Sequence, residues 1–306
     1  MAMDSVQAIE ASDAELGLLP SSSQRGMLRR AWEVFVENRL ALAGLGFIAF
    51  IVLFCFVGPH LYITNQVDTS LIDSLCTPGS QHLLGCNELG YDELGRLMVG
   101  GQTSIEVGLA AAVVSVFIGT LYGAISGFAG GFVDSVMMRI VDAGLSLPSL
   151  MVIIILSVIF HPTPVVIIFI IAVFYWFGVA RLVRGETLSL RNREYVQAVK
   201  VIGGRPLRSV VKHIVPNAIG TIIVQATFAV ADSILTLSVL GFLTLGVAPP
   251  STDWGSMLSG GLTYIQGGNY WWLIYPPGVL IILTCISFNF IGDALRDAFE
   301  TRLQRR

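Results

Sequence analysis

Charge is scarce in this sequence. Of its 306 residues only 13% are Asp, Glu, Lys or Arg, while 54% are hydrophobic and the mean hydropathy is +0.74. A soluble domain carries about 25% charged residues. So few charges cannot clothe a water-facing surface, and the apolar excess must face lipid. That excludes a secreted or cytosolic enzyme, a disordered chain and a nucleic-acid binder. Histidine and cysteine are sparse too, with four of each. His60, His82, His161 and His213 stand at no zinc-type spacing from a cysteine or from one another, so no metal site is expected. No Gly-x4-Gly-Lys-Ser/Thr phosphate loop is present, so this chain has no means of its own to hold nucleotide. No nucleophile motif frames its Ser, His and acidic residues, which leaves little case for a hydrolase.

What is present is a series of long apolar runs. A helix needs about 20 mostly apolar residues to cross the ~30 Å hydrocarbon layer. Such runs lie at 41–57, 107–127, 136–160, 165–180, 218–247 and 271–291. The third contains Pro148, and His161-Pro162-Thr163-Pro164 separates it from the fourth. The fifth is longer than a span requires and contains Gly241 and Gly246, so it should tilt, bend or emerge from the bilayer. The runs are continuous and do not alternate with period two, which excludes a β-barrel. An all-α membrane protein with six transmembrane helices is expected.

The basic residues orient it. If six spans alternate, every Lys and Arg except Arg96 falls on one side, and eight of them lie between the fourth and fifth spans, from Arg181 to Lys212. The positive-inside rule then makes both termini cytoplasmic. The expected organisation is a cytoplasmic tail at 1–38, a six-helix domain at 39–295 and a short cytoplasmic tail at 296–306. Within the domain, outer loops occupy 58–104 and 248–271, and a cytoplasmic loop occupies 185–216. Residues 1–24 are polar and acidic, lack a signal peptide's basic start and apolar stretch, and read as a disordered tail.

Two acidic residues fall inside spans. Asp232 sits near the middle of the fifth, where a carboxylate costs about 2.5–3.5 kcal/mol or more, so it must face protein or water. It is a candidate for the translocation pathway, as is Asp142. Asp142 lies nearer the membrane edge and is expected to pair with Arg139, three residues earlier on the same helix. If either acid relayed protons, the chain could be a self-sufficient secondary carrier. Cys76 and Cys86, ten positions apart in the first outer loop, lie on the oxidising side and could form a disulfide. Trp254 lies in the second outer loop, and Trp271 and Trp272 suit the membrane interface.

The 185–216 loop carries the most information. Residues 194–202 read as a short mixed helix that Gly203-Gly204 ends, and Pro206 suits the start of a second helix that Pro216 closes. Such an element could transmit force from a soluble partner, but periodicity alone favours a basic amphipathic segment resting on anionic headgroups. Gln197-Ala198-Val199, then Gly203, then Ile214-Val215-Pro216 resemble the Glu-Ala-Ala…Gly…Ile/Leu-Pro loop of ABC-importer permeases. More specifically, the chain resembles the second permease subunit of the peptide and nickel importer family. His82-Leu83-Leu84-Gly85, Glu88-Leu89-Gly90 and Arg96-Leu97 carry that likeness. So do the stretch from Gly127 to Asp134, Met138-Arg139, Pro249-Pro250, Trp254-Gly255-Ser256-Met257 and Phe288-Asn289 through Asp297. Gln197 stands where the family has Glu, Val199 where it has Ala, and Tyr91 where it has Arg.

The resemblance implies a type I ABC importer permease fold. Its coupling loop, with Glu194, Gln197, Ala198, Val199, Gly203, Gly204 and Pro216, would seat in a groove of a cytoplasmic ATPase. It further implies a related second permease, two ATP-binding cassette ATPases that hold ATP and Mg, and an extracytoplasmic substrate-binding protein. No cofactor is then bound by this chain. Related permeases serve dipeptides, oligopeptides and nickel complexes.

Overall fold

The computed structural model describes residues 35–160, 163–193, 210–264 and 268–300, except 65, 67 and 269. Eight helices carry the architecture: α1 (Arg39–Phe56), α2 (Glu93–Ala129), α3 (Gly131–Ser146), α4 (Ser149–Ile159), α5 (Pro164–Leu190), α6 (Ile219–Phe242), α7 (Trp254–Leu262) and α8 (Tyr275–Glu300). No strand occurs among the described residues, only an isolated bridge between Cys86 and Asp92. Five helices, α1, α2, α5, α6 and α8, are long and apolar enough to cross a membrane. The pair α3 and α4 qualifies as a sixth, bent by 81°.

Local chemistry explains where the helices begin and break. Asn38 caps α1, its Oδ1 accepting from the amides of Leu40 and Ala41 at 3.0 and 3.2 Å. Thr163 caps α5, and Pro164 follows at the first helical position, where a missing N–H costs nothing. The expected third span is not one straight helix. Pro148 disfavours helical geometry at the residue before it, and Leu147 accordingly takes φ −84° and ψ 140°.

The last part of the expected first outer loop is helical. Asp92 caps α2 by accepting from the Gly95 amide at 2.8 Å, so 93–104 are helical rather than looped. Gly95, Gly100 and Gly101 disguise this stretch in the sequence, since glycine weakens a helix. In the fold they permit contact: a Cβ on Gly101 would collide with Cys55 Sγ and with the Trp254 ring. The 248–271 loop likewise contains a helix, α7. The expected fifth span ends at Phe242, ahead of a turn in which Thr244 takes φ 61°.

α2 is the central element. It packs along α5 on one side and α6 on another, and α8 lies between α6 and α1. One core gathers Ala112, Ala124, Val179, Val183, Ile222 and Ile234; a second gathers Val107, Ile153, Ile171 and Leu237. Elsewhere the helices expose large apolar side chains, among them Phe50, Leu53, Val113, Phe117 and Phe169. Such a surface suits a lipid or protein environment, not water.

Candidate functional site

The end of the fold that leads into the 194–209 segment is built around Asp134. α2 stops at Ala129, and Gly130 and Gly131 then take φ +67° and +56°, a sharp reversal that a residue with a Cβ adopts only with strain. This turn sets Asp134 in the first turn of α3, where a carboxylate is favoured by the helix dipole. Arg184 of α5 donates to it side-on, Nε to Oδ1 at 2.6 Å and Nη2 to Oδ2 at 2.7 Å. Ser126 of α2 donates to Oδ1 at 2.5 Å. A bidentate pair fixes direction as well as distance. Arg191 then donates to the Gly127 carbonyl at 2.9 Å, satisfying an acceptor in the last turn of α2. Three helices are thereby locked at one point.

The other end of the 194–209 segment is fixed as well. Val210 and Ile214 are buried with Ala124, Val183 and Ala218, and Pro216 lies in the turn Val215–Asn217 that enters α6. Of the coupling positions read from the sequence, Glu194, Gln197, Ala198, Val199, Gly203 and Gly204 lie outside the described residues. The residues that brace the segment, Asp134, Arg184 and Arg191, were not among them. Their signal was present but indirect: Asp134 belongs to the Gly127-to-Asp134 stretch of the family likeness, while its arginine partner comes from 50 residues away.

Asp142 requires a correction. It pairs with Arg181 of α5 at 2.5 Å, not with Arg139. α3 packs on α5, so the longer-range arginine meets it directly. Asp232 lies on α6 and is exposed in the isolated chain. Beside it, the Tyr175 hydroxyl bonds Thr236 Oγ1 at 2.7 Å, and Cys285 Sγ lies 3.6 Å from the Ala231 carbonyl. No hydrogen bond or ion pair joins Asp142 and Asp232 among the described residues.

At the opposite end, the loops form a compact cap. Cys76 and Cys86 are bonded to each other. Buried Asp92 collects the Tyr62 hydroxyl and His82 Nδ1 on Oδ2, each at 2.9 Å, besides capping α2 through Oδ1. Burial and the neighbouring Asp92 push the Tyr62 phenol above its usual range. Cys76, His82 and Cys86 place donor atoms within 4.8 Å of one another, but the two bonded sulfurs carry no thiolate to offer a metal. Tyr91, where the family has Arg, lies under the Arg96 guanidinium, 4.7 Å from ring centroid to Cζ.

α7 is held by a capping box. Asp253 Oδ1 accepts from the amides of Gly255 and Ser256 at 2.9 and 3.0 Å, and the Ser256 hydroxyl accepts from the Asp253 amide. Burial pushes the Asp253 carboxyl above the usual carboxylate range, and these bonds oppose that shift. Trp254 is fully buried, and its indole donates to the Leu97 carbonyl at 2.9 Å. Trp254 is thus a packing anchor for α2. Asp253→Ala should lower stability by about 1–2 kcal/mol, the usual value of a lost N-cap, measured by thermal unfolding in detergent. An unchanged melting temperature would show that the box does not hold α7.

Comparison with known proteins finds relatives along nearly the whole chain. Residues 119–305 match the family model described as binding-protein-dependent transport system inner membrane component. Residues 26–78 match the N-terminal TM domain of oligopeptide transport permease C. The dipeptide transport system permease protein of Bacillus subtilis is 40% identical over 275 residues, 90% of this chain and 86% of that protein. The oligopeptide transport system permease protein of the same organism is 38% identical over 298 residues, 97% and 96% of the two chains. That of Escherichia coli K12 is 39% identical over 280 residues, 91% and 92%. With six candidate spans and relatives matched along nearly their whole length, the chain belongs to the family of inner-membrane permease components of binding-protein-dependent transport systems.

Proposed function

We propose that this chain is one of two permease subunits of an ATP-driven importer for peptides, in the bacterial cytoplasmic membrane with both termini on the cytoplasmic side. Its partners are a related second permease, which completes the path, two ATPases that bind ATP and Mg, and an extracytoplasmic binding protein that delivers cargo. The named cargoes of the relatives, dipeptides and oligopeptides, supply the substrate class. The observation that carries the coupling role is the bracing of the 194–209 segment. One end follows α5, locked to α2 and α3 through Asp134, and the other is buried at Val210 and Ile214. A push on this segment therefore moves packed helices instead of a slack loop. The bent pair α3–α4, tied to α5 by Asp134 and Asp142, is the element best placed to rock. Asp232, exposed on α6, is assigned to the wall of the path.

The test is co-purification of the tagged chain from its native membrane, followed by peptide uptake with a Gly203→Val variant. The wild-type chain should bring down an ATPase and a second permease. The variant should retain both partners and lose at least about tenfold in uptake, since the sequence reads Gly203 as a helix end, where a Cβ would deform the docking segment. Unchanged uptake would remove the coupling role from this segment. Failure to recover any ATPase would remove the importer reading.

A further inference from the structure

A cleft of about 390 Å³ opens at the loop end between the start of α2, the turn after α6, and α7. Three charged side chains line it: Glu88, Glu93 and Arg96. Glu93 and Arg96 stand three residues apart in α2, and so share a face. The Glu88 carboxylate lies over Gly260, where an added Cβ would sit 3.5 Å from its Oε1.

Glu93 differs from the other buried acids in its partners. Four acidic residues are buried among the described residues: Asp92, Glu93, Asp134 and Asp253. Asp92 receives three hydrogen bonds, Asp134 three and Asp253 two. The Glu93 side chain, 2% exposed, receives none among the described residues, although it borders an open cleft. A buried carboxylate without a donor is costly, and native proteins satisfy such groups. Arg96 lies near enough for its charge to act on Glu93 but makes no hydrogen bond to it among the described residues. Its Nη1 donates to the Pro250 carbonyl at 3.3 Å and its plane stacks on Tyr91, with no other bonded partner among the described residues. The cleft thus holds two carboxylates against one guanidinium, an excess of acceptors that a cationic donor would match.

We infer that this cleft binds a short free peptide by its charged ends, the ammonium on Glu93 and Glu88 and a carboxylate or carbonyl on Arg96. A primary ammonium has three donors in a compact head and can serve both carboxylates at once. A divalent metal fits less well, because the adjacent guanidinium repels it and offers no ligand. Arg96, the one arginine or lysine in the outer loops and the start of α2, presents a planar fork suited to an anionic oxygen. The inference rests on the reading of the chain as a peptide permease and locates a contact at the mouth of the path.

The test uses the assembled importer in lipid nanodiscs, with dialanine and N-acetyl-dialanine as probes in saturation-transfer NMR. Dialanine should bind, and acetylation, which removes the ammonium, should weaken it at least about tenfold, the value of a charge-assisted hydrogen bond. Glu93→Gln should produce a similar loss. Glu88→Gln, at a half-buried position that tolerates change, should produce a smaller loss and guards against misfolding of the first variant. Equal binding of the two probes, no binding of dialanine, or wild-type affinity in both variants would each overturn the inference. Dialanine uptake by proteoliposomes with the binding protein separates the two levels. Uptake indifferent to both variants would discard the cleft and keep the peptide importer, whereas no peptide uptake by the wild type would discard the importer reading itself.

Discussion

Gly123→Leu is expected to abolish accumulation of the folded chain. Gly119, Gly123 and Gly127 lie four residues apart on one stripe of α2, and α5 runs against them. A Cβ on Gly123 would collide with the Ala180 carbonyl oxygen and sit 3.0 Å from the Arg184 amide nitrogen. On Gly119 it would lie 2.6 Å from Val179 Cβ, and on Gly127 2.8 Å from Thr187 Cβ. At Gly123 the obstacles are backbone atoms of a helix, so no rotamer change relieves them and the two helices must part. In lipid, where apolar burial gives little drive, close backbone contact is what holds helices together. The cost should exceed the ~1–3 kcal/mol of ordinary overpacking. Size-exclusion chromatography of a fluorescently tagged chain would show the folded peak lost. Gly178→Ala and Gly185→Ala are the controls, since a Cβ at either meets nothing within 4 Å. They should be neutral or stabilising by up to about 1 kcal/mol. A normal folded peak for Gly123→Leu would mean that α2 and α5 do not approach as described.

Arg184→Ala should cost ~2–4 kcal/mol, because it leaves a buried carboxylate with Ser126 as its remaining hydrogen-bond donor and only the more distant charge of Arg191. The side chain of Asp134 is 11% exposed, that of Arg184 32%, so water can repair only part of the loss. Asp134→Ala should cost a comparable amount. The double variant should cost clearly less than the two together, because removing both partners strands no charge. Unfolding of all four chains in one detergent gives the coupling energy, and strict additivity would show that the pair is incidental. In the assembled importer, the same variants should uncouple ATP hydrolysis from uptake if the braced segment transmits force.

The glycine stripe shows how legible the packing was. The spacing of Gly119, Gly123 and Gly127 is visible in the sequence, and a small residue every fourth position is a signal for close helix contact. Which helix it meets is not, because α5 begins 35 residues after α2 ends. The same limit applies to Asp142. Its neighbour Arg139 is three residues away on its own helix, whereas Arg181 approaches only once α3 lies on α5. Asp134 could be marked as part of a shared stretch, yet not as the hub that Ser126 and Arg184 both address. Glu93 was hidden among glycines that made its helix look like loop.

Hydropathy and the placement of arginine and lysine are sums over local composition, and they carried the membrane class, the six spans and the expected orientation without any knowledge of contacts. A proline's effect on the residue before it is local too, so the break near Pro148 was foreseeable in place, though not its angle of 81°. The three-helix lock at Asp134, the pairing of Asp142 with Arg181 and the placing of Glu93 beside an open cleft are of another kind. Each depends on side chains from separate helices or loops converging to within a few ångströms. Such convergence follows from how whole helices pack, and no local pattern of residues encodes it.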